Sequence, residues 1–164
     1  MNALRMAGIL AAALVVQTTL ARFLVRGSIG VDLVLVAVVY LSLRAGPTAG
    51  IVSGTLAGLA QDALTTGIVG IGSLGKAVVG YLSGTVGRAF IVAQPVPRFL
   101  VFFAATLVEM AIVVLFHLAL DPVRSAVPAG AVVAQALGNA LVGVVAFQLA
   151  ESVPRALERR RAGR

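Results

Sequence analysis

FLVFFAATLVEMAIVVLFHLAL, residues Phe99–Leu120, is an unbroken apolar run of 22 residues that carries one carboxylate, Glu109, and one imidazole, His117. As a helix rising about 1.5 Å per residue it reaches about 33 Å, enough to cross a hydrocarbon core of about 30 Å. It follows the breaker Gln94-Pro95-Val96-Pro97 and stops before Asp121-Pro122. The rest of the chain has the same character. Of its 164 residues 60% are hydrophobic and 12% charged, and the mean hydropathy of +1.05 lies far above that of a soluble domain.

Five further apolar runs surround this one. The first, Met6–Leu24, follows Arg5 and has the outline of a signal peptide with Thr18-Thr19-Leu20-Ala21 as a poor cleavage region, but the spans that follow at once favour a retained helix. The second, Val31–Leu43, is short for a full crossing unless it begins near Ile29 and tilts little. The third starts at Gly46-Pro47, where proline suits a first helical turn, and continues to about Leu64. A tight turn over Thr65–Gly70 leads to the fourth, from about Ile71 to Gly87. The sixth starts near Pro128 and ends by Glu151 to Pro154. At about 20 residues per span, six spans and their loops use nearly the whole chain. The expected fold is therefore an all-α integral membrane protein, a six-transmembrane-helix bundle over residues 1–154 followed by a basic cytoplasmic tail over 155–164.

Charge sets the expected orientation. With six spans one side receives Arg5, Arg44, Arg88, Arg98, Arg155, Arg159, Arg160, Arg161 and Arg164, and the other only Arg22, Arg26 and Arg124. Nine against three puts both termini in the cytoplasm of the inner membrane. A five-span arrangement would separate the basic tail from Arg5, Arg44, Arg88 and Arg98. The net charge of +7 fits anionic lipid headgroups better than nucleic acid, whose binding grooves also use aromatic platforms. There is no Trp and there are two Tyr. With no Cys, disulfides, thiolate chemistry and Cys-based metal sites are excluded.

An ionisable side chain in hydrocarbon costs roughly 3 kcal/mol on insertion scales, so it normally faces the bundle interior and has a partner. Lys76 and Glu109 are the two such residues. Helix rise puts Lys76 about 18 Å from Arg88 and Glu109 about 16 Å from Arg98, which is nearly one depth. Gln17 lies about 18 Å from Arg5, and Asn139 about 18 Å from Glu151, by the same arithmetic. These four residues are expected to form a buried polar layer centred on a Lys76–Glu109 ion pair. It serves either as a substrate or proton site or as a pair that locks helices together. The locking role is favoured, because a coupled transporter needs a charge that can change partner or protonation.

The third helix carries Gly46, Gly50, Gly54, Gly58 and Asp62 at four-residue steps, and the fourth answers with Gly72, Lys76, Gly80, Gly84 and Arg88. Small residues at this spacing let backbones approach closely in a right-handed crossing. Either the two helices form a tight hairpin or one glycine face awaits another protein. Asp62, preceded by Gln61, reaches the outer membrane edge, where it either caps free N–H groups of the turn or offers an anion to a partner. His117 stands near the outer end of its helix without a second His or any Cys at ligand spacing, so an interfacial hydrogen bond is expected there rather than a metal. No cofactor is implied. No H-E-x-x-H, serine–histidine pair or flanking carboxylates suggest an enzyme, and Ser53, Ser73 and Ser83 lie among glycines, where small residues serve packing.

Val31-Asp32-Leu33-Val34-Leu35, the segment Ser42-Leu43-Arg44-Ala45-Gly46-Pro47 with its glycine stripe, and Gly58-Leu59-Ala60-Gln61-Asp62 leading into Gly67-Ile68-Val69-Gly70 resemble the rod shape-determining MreD family. Length, span count and the basic tail agree with it, while the last two helices match in hydropathy alone. The resemblance implies that Val31, Asp32 and Leu33 correspond to an extracytoplasmic Pro-Asp-Leu leading into the second helix, with Val in place of Pro. It likewise implies that Gln61 and Asp62 are the family's Gln-Asp, and that Gly67 and Gly70 are the glycines after it. It implies a non-enzymatic inner-membrane scaffold of the cell-elongation and peptidoglycan-synthesis machinery. The implied partners are MreC and, through it, the cytoskeletal MreB, the glycosyltransferase RodA and a class B penicillin-binding protein.

The family also resembles in architecture the substrate-binding subunits of energy-coupling-factor vitamin transporters, which supplies the alternative function. Transport would need an external cavity lined by polar and aromatic groups, and this chain has five percent aromatics. A scaffold is the expected function.

Overall fold

The six apolar runs become six helices in the computed structural model, which describes residues 2–23, 30–65, 69–89, 94–120 and 128–162. They are α1 Ala3–Phe23, α2 Leu33–Ala45, α3 Pro47–Ala63, α4 Ile71–Ala89, α5 Pro95–Leu120 and α6 Ala129–Ala162. Two bounds differ most from the hydropathy reading. Pro95 and Pro97 do not break the chain but form the first turn of α5, where backbone N–H groups lack intrahelical acceptors and the fixed φ of proline is already helical. α6 continues past Pro154 as far as Ala162.

α5 and the Ala129–Ser152 portion of α6 are long and apolar enough to cross a membrane unaided. α1 and α2 are apolar but shorter, and α3 and α4 carry the glycine stripes. At thirteen residues, α2 is about 20 Å long, too short for the hydrocarbon core, and its sequence LVLVAVVYLSLRA is apolar on every face. A helix of that kind belongs inside other protein. α2 accordingly packs against all five other helices, and eight of its residues are buried. Leu35, Val36 and Val39 join Val79, Phe102, Ala140 and Phe147 in one cluster, while Val34, Ala37, Val38 and Leu41 join Leu10 and Ala57 in another.

The glycine stripe resolves into a hairpin. A methyl group built on Gly50 would collide with the carbonyl of Gly80, one on Gly54 with the carbonyl of Lys76, and one on Gly58 with the backbone of Ser73. Gly84 meets Pro47 in the same way. The α3 and α4 backbones therefore touch, and the stripe is used within the chain, as the first of its two readings had it. Ser73 Oγ reinforces the contact by donating to Thr55 O at 3.1 Å. At the basic end Gly46 joins α2 to α3 with φ of 91°, a left-handed conformation that favours glycine. The guanidinium of Arg88 fills the space where its side chain would lie.

Polarity is distributed as hydrocarbon demands. The buried set includes Asp32, Lys76, Arg98, Thr106, Glu109 and Asn139, whereas Leu56 is 59% exposed, Leu115 66% and Leu141 61%. A soluble protein has the opposite arrangement. Lipid tails cover such an outer surface without penalty and leave the polar groups to satisfy one another.

Candidate functional site

The first turn of α2 opens in the middle of the apolar bundle, where each free backbone N–H must find an acceptor. Asp32 is the N-cap, and its Oδ1 accepts from Leu35 N at 2.9 Å. The next two donors are met from other helices. Asp32 N donates to Asn139 Oδ1 at 2.8 Å and Leu33 N to Gln17 Oε1 at 2.9 Å. α6 and α1 are thereby tied to the start of α2.

The second carboxylate oxygen of Asp32 lies 2.9 Å from Lys76 Nζ, and Lys76 also donates to Glu109 Oε1. One ammonium on α4 thus joins carboxylates on α2 and α5. Gln61 of α3 points Nε2 at Asp32 Oδ2 from 3.5 Å. Asn139 Nδ2 donates to Thr106 Oγ1 at 3.1 Å, and the Thr106 hydroxyl donates to Phe102 O. All six helices contribute a side chain to this layer.

Two carboxylates around one ammonium leave one formal negative charge over. The positive end of the α2 dipole, which rests on Asp32, offsets part of it. Removing three charges from water is recovered only where attraction at low dielectric is joined by further hydrogen bonds. Asp32 has that support from a backbone amide and from Gln61. Glu109 Oε2 and Gln61 Oε1 are buried without a hydrogen-bond partner among the described residues. Gly75 makes room for Glu109, whose Cγ would lie 3.3 Å from a methyl group built there.

Two further clusters mark the ends of the bundle. At the turn between α3 and α4, Asp62 Oδ2 accepts from Gly70 N at 2.8 Å and Ser73 N at 3.1 Å. The carboxylate caps α4, and Gly70 takes φ of 108° to present its amide. At the other end Glu151 bridges Arg44 and Arg98, each at 3.0 Å. The Arg98 guanidinium stacks on the Phe147 ring at 4.0 Å. His117, near the end of α5, has Nδ1 2.8 Å from Val113 O.

Gln17, Lys76, Glu109 and Asn139 therefore meet in one network, and the depth argument extends to Asp32, which sequence reasoning had placed apart from them. Asp32 stands twelve residues from Arg44, as Gln17 does from Arg5, Lys76 from Arg88 and Asn139 from Glu151. That shared interval was the signal that could have found it. Thr106 was also missed, since a lone threonine in an apolar helix carries no such signal. Gly46, Gly50, Gly54, Gly58, Gly80 and Gly84 lie along the hairpin and Gly70 at its turn. Gly67, Arg26 and Arg124 fall outside the described residues.

No curated protein and no solved structure gives a significant match to the chain. A family model described as rod shape-determining protein MreD matches residues 2–149, covering five of the six helices in full and most of α6. With that match over nearly its whole length, the chain belongs to the MreD family of non-enzymatic, membrane-embedded proteins that determine rod shape.

Proposed function

We propose that this chain is a six-span inner-membrane scaffold of the cell-elongation complex, with both termini in the cytoplasm, binding MreC and through it the wall synthases. The observation that carries the reading is the buried polar layer. Every helix supplies a group to it, and each charge is already engaged by another helix. Such an interior fixes six helices in one arrangement and presents a constant outer surface to partners.

The transporter alternative draws no comparable support. Two grooves on the described helices are lined by Val79, Leu82 and Leu100 and by Ile9, Val36 and Val142 with mostly apolar neighbours, not by Lys76, Glu109 or Asn139. Asp32, Gln61, Asp62 and the glycine hairpin act in this reading by holding the shape that partners recognise.

Two measurements test it. Depletion in a rod-shaped host should round the cells, and mild detergent extraction should recover the chain together with a bitopic partner and wall synthases. Recovery of a tightly bound small molecule instead, with melting raised on its addition, would replace the scaffold by the transporter reading.

A further inference from the structure

α1 and α6 both pack against α2 but do not approach each other among the described residues. Between them a groove of about 350 Å³ exposes the flank of α2, lined by Ile9 and Val16, Leu33 and Tyr40, Val142 and Ala150 among others, none of them charged. Along α6 from Val142 to Ala150 it extends about 12 Å. It starts at Leu33, beside the polar layer, and ends at Tyr40 and Ala150. It therefore covers one leaflet of a core about 30 Å thick. A partner helix would continue through both leaflets, whereas an acyl chain ends within one. The apolar lining suits part of an acyl chain.

The mouth of the groove carries charge. The Arg44 guanidinium lies 5.8 Å from the centre of the Tyr40 ring and 3.0 Å from Glu151, the residue after Ala150. The Arg44 side chain is 41% exposed. Glu151 is shared with Arg98, so the carboxylate does not belong to Arg44 alone. Guanidinium donors in a planar fork suit phosphate oxygens.

From the apolar slot with a half-exposed arginine at its end we infer that the α1–α2–α6 groove is a binding site for one anionic phospholipid. Its acyl chain lies along α2 and its phosphate meets Arg44. Tyr40 and Phe147 hold the guanidinium at that level through their ring faces. The site does not depend on which way the chain lies across the membrane.

Native mass spectrometry of the purified chain, released from detergent containing equal amounts of phosphatidylglycerol and phosphatidylcholine with identical acyl chains, tests the site. Retention of one phosphatidylglycerol in preference to phosphatidylcholine is expected. Arg44→Gln should reduce that preference roughly fivefold, the size of one basic side chain's attraction to anionic lipid. Glu151→Gln, which breaks the same bridge but keeps the guanidinium, should preserve or raise it. Ala12→Phe, at the exposed rim of the groove, should reduce retention of both lipids, and Leu115→Phe on α5 neither. Equal retention of the two lipids by the unaltered chain, or equal loss in Arg44→Gln and Glu151→Gln, would overturn the assignment and leave the groove to an apolar partner.

Discussion

Lys76 is the residue on which most of the interior turns. Its ammonium faces Asp32 and Glu109, and all three side chains are over 90% buried. Replacing it by methionine leaves two carboxylates in hydrocarbon with no cation, and breaking a buried pair from one side costs about 3–5 kcal/mol. Lys76→Met should therefore unfold at markedly lower denaturant in detergent, with little folded chain recovered from cells. Glu109→Gln should be milder, because Asp32 still neutralises Lys76 and the amide oxygen still accepts. The double variant should cost less than the two single losses added, since the methionine no longer strands Glu109. Additive losses would show that the two side chains are not coupled. Asp62 belongs to the same scale. Asp62→Ala frees the amides of Gly70 and Ser73 at about 1 kcal/mol. Hydrogen exchange should quicken at those two amides while the polar layer stays protected.

The α3–α4 hairpin offers a sharper test at the level of elements. Gly54→Ala puts a methyl group against the Lys76 carbonyl and forces two backbones apart, whereas Gly8 on α1 has nothing within 4 Å of the same position. Overpacking costs about 1–3 kcal/mol. Gly54→Ala should then lower stability in detergent by at least that much, and Gly8→Ala should leave it unchanged or slightly raised. Equal behaviour of the two would remove the close crossing. The sequence made this hairpin legible because four-residue spacing is a property of one helix and survives any rotation of its neighbours. The polar layer was half legible. Helix rise from the terminal arginines places Gln17, Lys76, Glu109 and Asn139 at one depth, yet the family resemblance puts Asp32 at an extracytoplasmic entry to the second helix, apart from them. α2 is a buried helix of thirteen residues whose N-cap lies at the level of the layer. Gln61 and Thr106 depend on how helices rotate about their axes, which no spacing along the chain reports. The groove between α1 and α6 is a gap between elements, so no stretch of sequence encodes it by itself.

Taken whole, the molecule has charge at one end and apolar flanks. Arg44, Arg88, Arg98 and Glu151 cluster where α2, α4, α5 and α6 meet, and the basic residues assigned to that end outnumber those at the other by nine to three. An excess of Lys and Arg in short loops fixes which face stays in the cytoplasm, and the absence of Cys makes the consequence directly measurable. Asn2→Cys and Ser152→Cys should be blocked from a membrane-impermeant maleimide in intact spheroplasts and labelled once the membrane is opened. Thr65→Cys, exposed at the end of α3, should be labelled without opening it. The same reagent separates six spans from five, because an odd number of crossings would put Asn2→Cys and Ser152→Cys on opposite faces. Labelling of both in intact spheroplasts would invert the bundle, and the Arg44 end would then face the outer leaflet. The polar layer would survive that inversion, since its bonds depend on helix packing alone.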